Sequence, residues 1–484
     1  MAALVSLLLG AVVAIAIGEA LGLSFTPSDT PPAAPRSGRA APMVPAPRIT
    51  AIGVPADERV RLAATAVADA LVDRGAPAPT VGPGTADLSV RFVATFDDSP
   101  EAYRIRTEAG GRYALEAAGP AGAAAGLYAL ADKIRSGAAV VADGTVQKPR
   151  LGLRLTDSGS VGREPDAAAF AAGTDYSLNT DVVAEAVLPA APWVDAAVVA
   201  RIDTQFRSYV RHALREGYNG VVVPGFLEYV TFDGLGVYPA GDPHIERAKA
   251  LAAAFGPVFR YAHDMGLHVY LLTDMLAVSP PLEAYLDRTV GGLNVEDPKL
   301  WSVYQAGLSE LFDTMPFVDG LMVRVGEGGE VYQAGWDYSS KLAVTSEDSV
   351  RAMLRALRDR REVRPGSDLP ELDGRRRRRG RPAHQPRVVR GGAREIDDPH
   401  LVVSTKYVAG DFYSHLPLNP TLAVGDHRRI VEFQARREFE GFGALPNDLV
   451  AEQAQALRHF LEVNPPSRAC GTGRRTAARC APAR

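Results

Sequence analysis

Three stretches of the chain set carboxylates where chemistry is possible: Asp319-Gly-Leu-Met-Val-Arg-Val-Gly-Glu-Gly-Gly-Glu330, Ser404-Thr-Lys-Tyr-Val-Ala-Gly-Asp-Phe412 and Val431-Glu-Phe-Gln-Ala-Arg-Arg-Glu-Phe-Glu-Gly441. In each, a β-branched apolar run stops at charged residues near glycine. Glu327, Asp411 and Glu432 are therefore expected where a buried parallel strand meets its loop. Carboxylates gathered at such ends suit glycosidic bond cleavage, in which one carboxylic acid protonates the leaving oxygen and a second carboxylate works from the other side. The two are about 5 Å apart in retaining enzymes and roughly 6.5 to 9.5 Å apart in inverting ones.

The surroundings of each acid suggest its use. Glu327 is flanked by glycines, which let a ligand approach the backbone closely, and Arg324 precedes it on the same run. Asp411 stands among Lys406, Tyr407, Tyr413 and His415, a mixture suited to sugar hydroxyls and to a carboxylate ligand, although an Asp after Gly is also an ordinary turn residue. Glu432 interrupts an apolar strand, where an inward carboxylate is costly unless paired; Lys406, Arg436 and Arg437 are the available cations, and a structural ion pair is the plain alternative. Asp157, Glu228 and Asp274 also fall at strand ends and are candidates for substrate contacts, with helix capping the commoner use for Asp157 and Asp274. The chain contains no glycine-rich phosphate loop, no His-Glu-x-x-His and no Cys/His cluster, so neither a metal nor a cofactor is expected.

The elements that must position these residues read as an α/β chain. From Pro149 onward, continuous apolar strand candidates at Leu151–Thr156, Gly220–Pro224, Leu267–Thr273, Gly320–Val325, Leu401–Lys406 and Arg429–Gln434 alternate with helical segments at Val199–Glu216, Arg247–Met265 and Leu300–Met315. Strict alternation means a parallel sheet, and its length points to a (β/α)8 TIM barrel over 149–465. Ahead of it, 47–148 reads as a small α+β domain of one sheet and two helices. Residues 26–46 form a Pro/Ala-rich linker, and the apolar run Leu4 to Gly18 makes 1–25 a signal peptide or N-terminal membrane anchor, although no basic residue precedes it. Export to the medium or the cell surface is the expected localisation, with the cytoplasm as the alternative.

Only six barrel strands are visible, and the two vacant places coincide with anomalies of composition. Residues 360–394 hold about a dozen Arg, no Lys and four acids, and the tail 466–484 holds Arg with neither Lys nor acid. Without these windows the formal charge falls from −4 to about −17, so the chain is not a general nucleic-acid binder. Both windows, written in GC-rich codons and read one or two bases on, give strand-like sequence. Frameshifts near 360–394 and after 465 are thus expected to have cost the barrel two strands. Both cysteines, Cys470 and Cys480, lie in the aberrant tail.

With these segments assembled, the chain resembles the α-glucuronidases of glycoside hydrolase family 67, from the small domain with Gly119-Pro-Ala-Gly-Ala-Ala-Ala-Gly-Leu-Tyr-Ala-Leu130 through the barrel. The resemblance implies a general acid at Glu327 and water activation by Asp411 with Glu432, or with Glu438 as the weaker match, in an inverting reaction on a glucuronic acid or related sugar. The acid segment is shorter than the family's. The small domain is also similar to that of family 20 β-N-acetylhexosaminidases, but Val325-Gly-Glu-Gly328 lacks the Asp that precedes the acid there. A carbohydrate-binding barrel without activity is the third reading. Carbohydrate is the expected partner, and the oligomeric state is not legible.

Overall fold

The computed structural model describes residues 43–84, 86–93, 96–97, 99–158, 161, 183–325, 329–330, 338–359, 368–373, 401–410, 412, 416–425, 427–434, 449–464 and 469–475. The apolar run of 4–18 and the linker up to residue 42 lie outside them.

The first unit runs β1 (Ala51–Gly53), α1 (Glu58–Asp73), β2 (Thr80–Gly82), β3 (Leu88–Phe92), β4 (Tyr103–Glu108), β5 (Arg112–Ala117) and α2 (Pro120–Ser136). Its sheet has the order β2-β1-β3-β5-β4, with only β4 antiparallel to its neighbour. Both helices cover one face, burying Val60, Ala64, Val67 and Leu71 of α1 and Leu127, Leu130 and Ile134 of α2 against Leu88, Val90 and Leu115. Asp57 caps α1 by accepting from the Val60 N–H, and Gly137 ends α2 at φ 68°, a left-handed position that glycine takes without strain. The other face carries ion pairs of Glu116 with Arg104 and Arg106, at 2.6 and 2.9 Å.

The second unit runs β6 (Leu153–Asp157), α3 (Ala196–Arg215), β7 (Gly220–Pro224), α4 (Pro243–Asp264), β8 (His268–Met275), β9 (Ala277–Val278), α5 (Pro280–Val290) and α6 (Pro298–Thr314). It continues through β10 (Gly320–Val325), β11 (Gly329–Glu330), β12 (Ser339–Ser340), α7 (Glu347–Asp359), β13 (Asp368–Asp373), β14 (Val402–Lys406), β15 (Arg428–Gln434), α8 (Val450–Val463) and β16 (Ala469–Arg475). Eight strands pair in parallel in the order β13-β10-β8-β7-β6-β16-β15-β14, so the last strand returns to lie beside the first. β13 and β14 lie next to each other across the remaining seam. This is the (β/α)8 barrel. The short strands β11, β12 and β9 form a separate antiparallel patch above it.

Strands occupy both places that the composition left vacant, with the residues as written: β13 pairs with β10, and β16 bridges β15 and β6. The expected loss of two strands is therefore not seen in the backbone. Register puts Gly471 and Gly473 beside Ile430 and Glu432, positions that add no side chain to the interior.

Along each strand successive residues face opposite sides, and the barrel sorts them cleanly. Leu153, Leu155, Val222, Tyr270, Met322, Val402 and Ile430 fill the interior. The alternate residues Val221, Val223, Val269, Leu271, Leu321 and Val323 face the helices in the largest core cluster. Gly220 is small because a methyl there would overlap the Leu155 side chain.

Glu101 ties the two units together at the opposite end from the candidate site. It pairs with Arg154 of β6 and accepts from Asn219 Nδ2 at 3.3 Å, while the Asn219 Oδ1 accepts from the Arg154 N–H at 2.7 Å.

Candidate active site at the mouth of the barrel

Toward the ends of several strands, the inner face changes from apolar to charged. Leu155 is followed two residues on by Asp157, Leu272 by Asp274, Met322 by Arg324, and Ile430 by Glu432; on β14 the inward series is Val402, Ser404, Lys406. Five residues expected from sequence to form the site thus share one face and one end of the barrel. This is the C-terminal end, where barrel enzymes build their active sites.

Their placement is specific. Lys406 and Glu432 stand at matching register on β14 and β15, and both are 2% exposed. The Lys406 ammonium also lies 5.1 Å from the centre of the Phe412 ring. Across the barrel, Arg324 on β10 is level with Asp274 on β8. Its Nε donates to Oδ1 at 2.6 Å and its Nη2 to Oδ2 at 2.7 Å. A two-point fork of this kind holds both side chains rigidly, so Asp274 is engaged with a neighbour rather than capping a helix.

Asp157 ends β6 on the inner face and is partly exposed. Its carbonyl accepts from the Tyr209 hydroxyl at 2.7 Å, and the same hydroxyl is 2.7 Å from Thr156 Oγ1. Tyr209 comes from α3 and pins this strand end; burial holds its phenol well above the usual range.

Glu228 is 1% exposed, in the short turn after β7, and its Oε2 accepts from the Phe226 N–H at 2.7 Å. Near it, Arg247 of α4 donates to the Tyr338 hydroxyl at 3.4 Å and stacks its guanidinium 5.5 Å from that ring. Burial pushes the Tyr338 phenol far up, the Tyr238 and Glu228 charges add to this, and Arg247 opposes it. Neither Tyr209 nor Arg247 was expected from sequence, because both reach the strand ends from helices.

Tyr407 is placed differently from the expectation of a substrate contact. It follows inward-facing Lys406 and so points outward, packing on Phe412 and Phe433 in the cluster that includes Ala456 and Phe460 of α8. Its hydroxyl donates to Glu452 Oε1 at 3.0 Å. Glu327, Asp411 and His415 lie outside the described residues, as do Arg436, Arg437 and Glu438. Of the cations considered for Glu432, Lys406 is the one the described residues bring alongside.

No protein-family model matches the chain, and no curated protein is similar to it in sequence. Among solved structures, a family 138 glycoside hydrolase targeting pectin rhamnogalacturonan II superposes with a TM-score of 0.55 at 15% identity, covering 88% of this chain and 46% of that one. The chain therefore spans about half the length of that enzyme. A family 115 4-O-methyl-α-glucuronidase with specificity for decorated arabinogalactans gives 0.47 at 12% identity over 88% of this chain and 53% of its own. The family 20 β-N-acetylhexosaminidase of Streptomyces coelicolor gives 0.45 at 15% identity over 89% and 85%. Of these three, the first has the overlap that establishes a shared fold.

Proposed function

We propose that the chain is a glycoside hydrolase that removes an acidic sugar, of the glucuronic acid type, from a polysaccharide or oligosaccharide. The observation that carries this reading is the inner ring in which Glu432 and Lys406 stand side by side in register above an apolar barrel interior. Such a carboxylate with a cation beside it can activate water, which is the base half of an inverting reaction. Glu327, just past the end of β10, is proposed as the acid that protonates the leaving oxygen, and Asp411, five residues past Lys406, as a second group on the attacking water. Arg324 and Lys406 are the cations proposed to meet the sugar carboxylate. The fold shared with an enzyme that targets pectin rhamnogalacturonan II supports a polysaccharide substrate only at the level of architecture.

The test is a screen of the protein against glucuronoxylan fragments and aryl glycosides, with the anomer of the first product read by NMR. An inverted product, lost on Glu327→Gln and Glu432→Gln, supports the reading. Inhibition by an N-acetylated thiazoline favours the hexosaminidase type instead, and sugar binding without release favours a binding barrel. If nothing is released or bound, the reading falls.

Two proposals from composition accompany this one. Export rests on the apolar run of residues 4–18, and N-terminal sequencing of the protein from its medium tests it. A reading-frame origin for the Arg-rich windows rests on their composition, and resequencing the gene without finding an insertion or deletion in either window ends it.

A further inference from the structure

Gln434 is the next inward position after Glu432 on β15, since Val431 and Phe433 face the helix layer. The backbone there is held from outside: the Gln453 Nε2 of α8 donates to the Gln434 carbonyl at 2.7 Å. The side chain is 2% exposed, and its Oε1 has no hydrogen-bond partner among the described residues. A buried amide oxygen without a donor is a standing cost to the fold, because its hydration has been given up with nothing in return. Ser404, one step below Lys406 on β14, shows the same condition, buried at 1% with its Oγ unpartnered among the described residues. The inner faces of β14 and β15 thus form a polar column in which the charged pair has an uncommitted acceptor above it and an uncommitted hydroxyl below.

We propose that Gln434 is a specificity-determining residue whose carboxamide oxygen accepts from a hydroxyl of the sugar bound against Glu432. The inference rests on the hydrolase reading and deepens it: the ligand must present a donor one strand step beyond the base, which a neutral hydroxyl supplies and a second carboxylate does not. A site built to bond a hydroxyl rejects the analogue that lacks it, because the buried acceptor is then left unpaired.

The test compares wild type with Gln434→Met, which keeps the length of the side chain and removes the acceptor, and with Gln434→Glu, which keeps an acceptor. Thermal melts are recorded without ligand and with 100 mM glucuronate, galacturonate or N-acetylglucosamine, and kcat/KM is measured on the corresponding p-nitrophenyl glycosides. The expected result is a free Gln434→Met protein that melts at the wild-type temperature or roughly 1 to 3 °C above it. Its ligand-induced stabilisation is lost, and kcat/KM falls about 10- to 100-fold, the scale of one lost hydrogen bond to the transition state. Gln434→Glu is expected to keep more of both than Gln434→Met. A Met variant that melts lower or fails to fold overturns the proposal, because a group without a partner cannot be what holds the strand. If wild type cleaves a glycoside and Gln434→Met cleaves it equally well, the proposal falls while the hydrolase reading stands. If wild type neither binds nor cleaves any probe, both fall together.

Discussion

Arg324 and Asp274 lie at the same level on adjacent barrel strands and hold each other through two parallel hydrogen bonds of 2.6 and 2.7 Å. Asp274 is 3% exposed at its side chain and Arg324 15%, so neither charge can rely fully on water. The pair closes one side of the inner ring whose other side is Lys406 with Glu432.

Removing one partner of such a pair leaves the other charge buried and uncompensated. Asp274→Ala is expected to lower stability by about 2 to 4 kcal/mol, somewhat below the cost for a fully enclosed pair because Arg324 keeps some contact with solvent. Arg324→Lys keeps the charge but not the fork and is expected to lose about half as much. Urea denaturation with the slope held common among variants measures both, and an Asp274→Ala protein as stable as wild type would contradict the picture of a locked pair.

Glu432 on β15 faces inward and Tyr407, just past the end of the neighbouring β14, faces outward, so substitutions should separate chemistry from support. Glu432→Gln is expected to reduce turnover at least about 10²-fold through loss of the base. Tyr407→Phe removes the 3.0 Å bond to Glu452 and is expected to cost about 0.5 to 1.5 kcal/mol of stability, with KM unchanged. Steady-state kinetics beside thermal melts would decide this, and a raised KM in Tyr407→Phe would put Tyr407 back among the sugar contacts.

The loops above the site carry an alkaline liability. Burial pushes the Tyr238 phenol up to about 12, although its bond of 2.9 Å with Ser279 pulls the other way. The folded value is raised above the unfolded one near 10, so the contribution to stability is complete below pH 10 and is lost as pH climbs to about 12. Tyr238→Phe should flatten the fall of melting temperature across that window. The burial of Tyr304 and Tyr338 acts in the same direction, so part of the slope will remain. An unchanged slope in Tyr238→Phe would show that this phenol is not held neutral by the fold.

At the other end of the pH scale, burial favours the neutral form of Glu116, but the Arg104 and Arg106 guanidiniums outweigh it and hold the carboxyl below its ordinary value. A depressed folded value gives stability that is present above the unfolded carboxylate range and is lost as pH falls through the folded one. Glu116→Gln should therefore remove part of the acid sensitivity of the small domain. Melts between pH 5 and pH 2 test it, with a wild-type pH profile in the variant as the contrary result.

The strand-end part of the candidate site was legible in the sequence for a local reason. Asp157, Asp274, Arg324, Lys406 and Glu432 each lie at or close to the end of an apolar run, and a run of continuous β-branched residues between helices can be little else than a parallel barrel strand. Gln434 was within reach by the same logic, being two residues beyond Glu432. Tyr407 was misread because a barrel strand is apolar on both faces, so hydrophobic alternation does not say which side is the interior. β13 and β16 were hidden by composition, since neither Asp368–Asp373 nor Ala469–Arg475 has the β-branched content of the other strands.

The sequence by itself determined the order of six barrel strands with the helices between them and the chemical types gathered at the strand ends, because both follow from local pattern. Only the tertiary structure decided that Asp274 meets Arg324, that Lys406 stands in register with Glu432 and that β16 returns to close on β6. Register between strands is set by ring closure and by packing against helices far away in the chain, and no local run of residues encodes it.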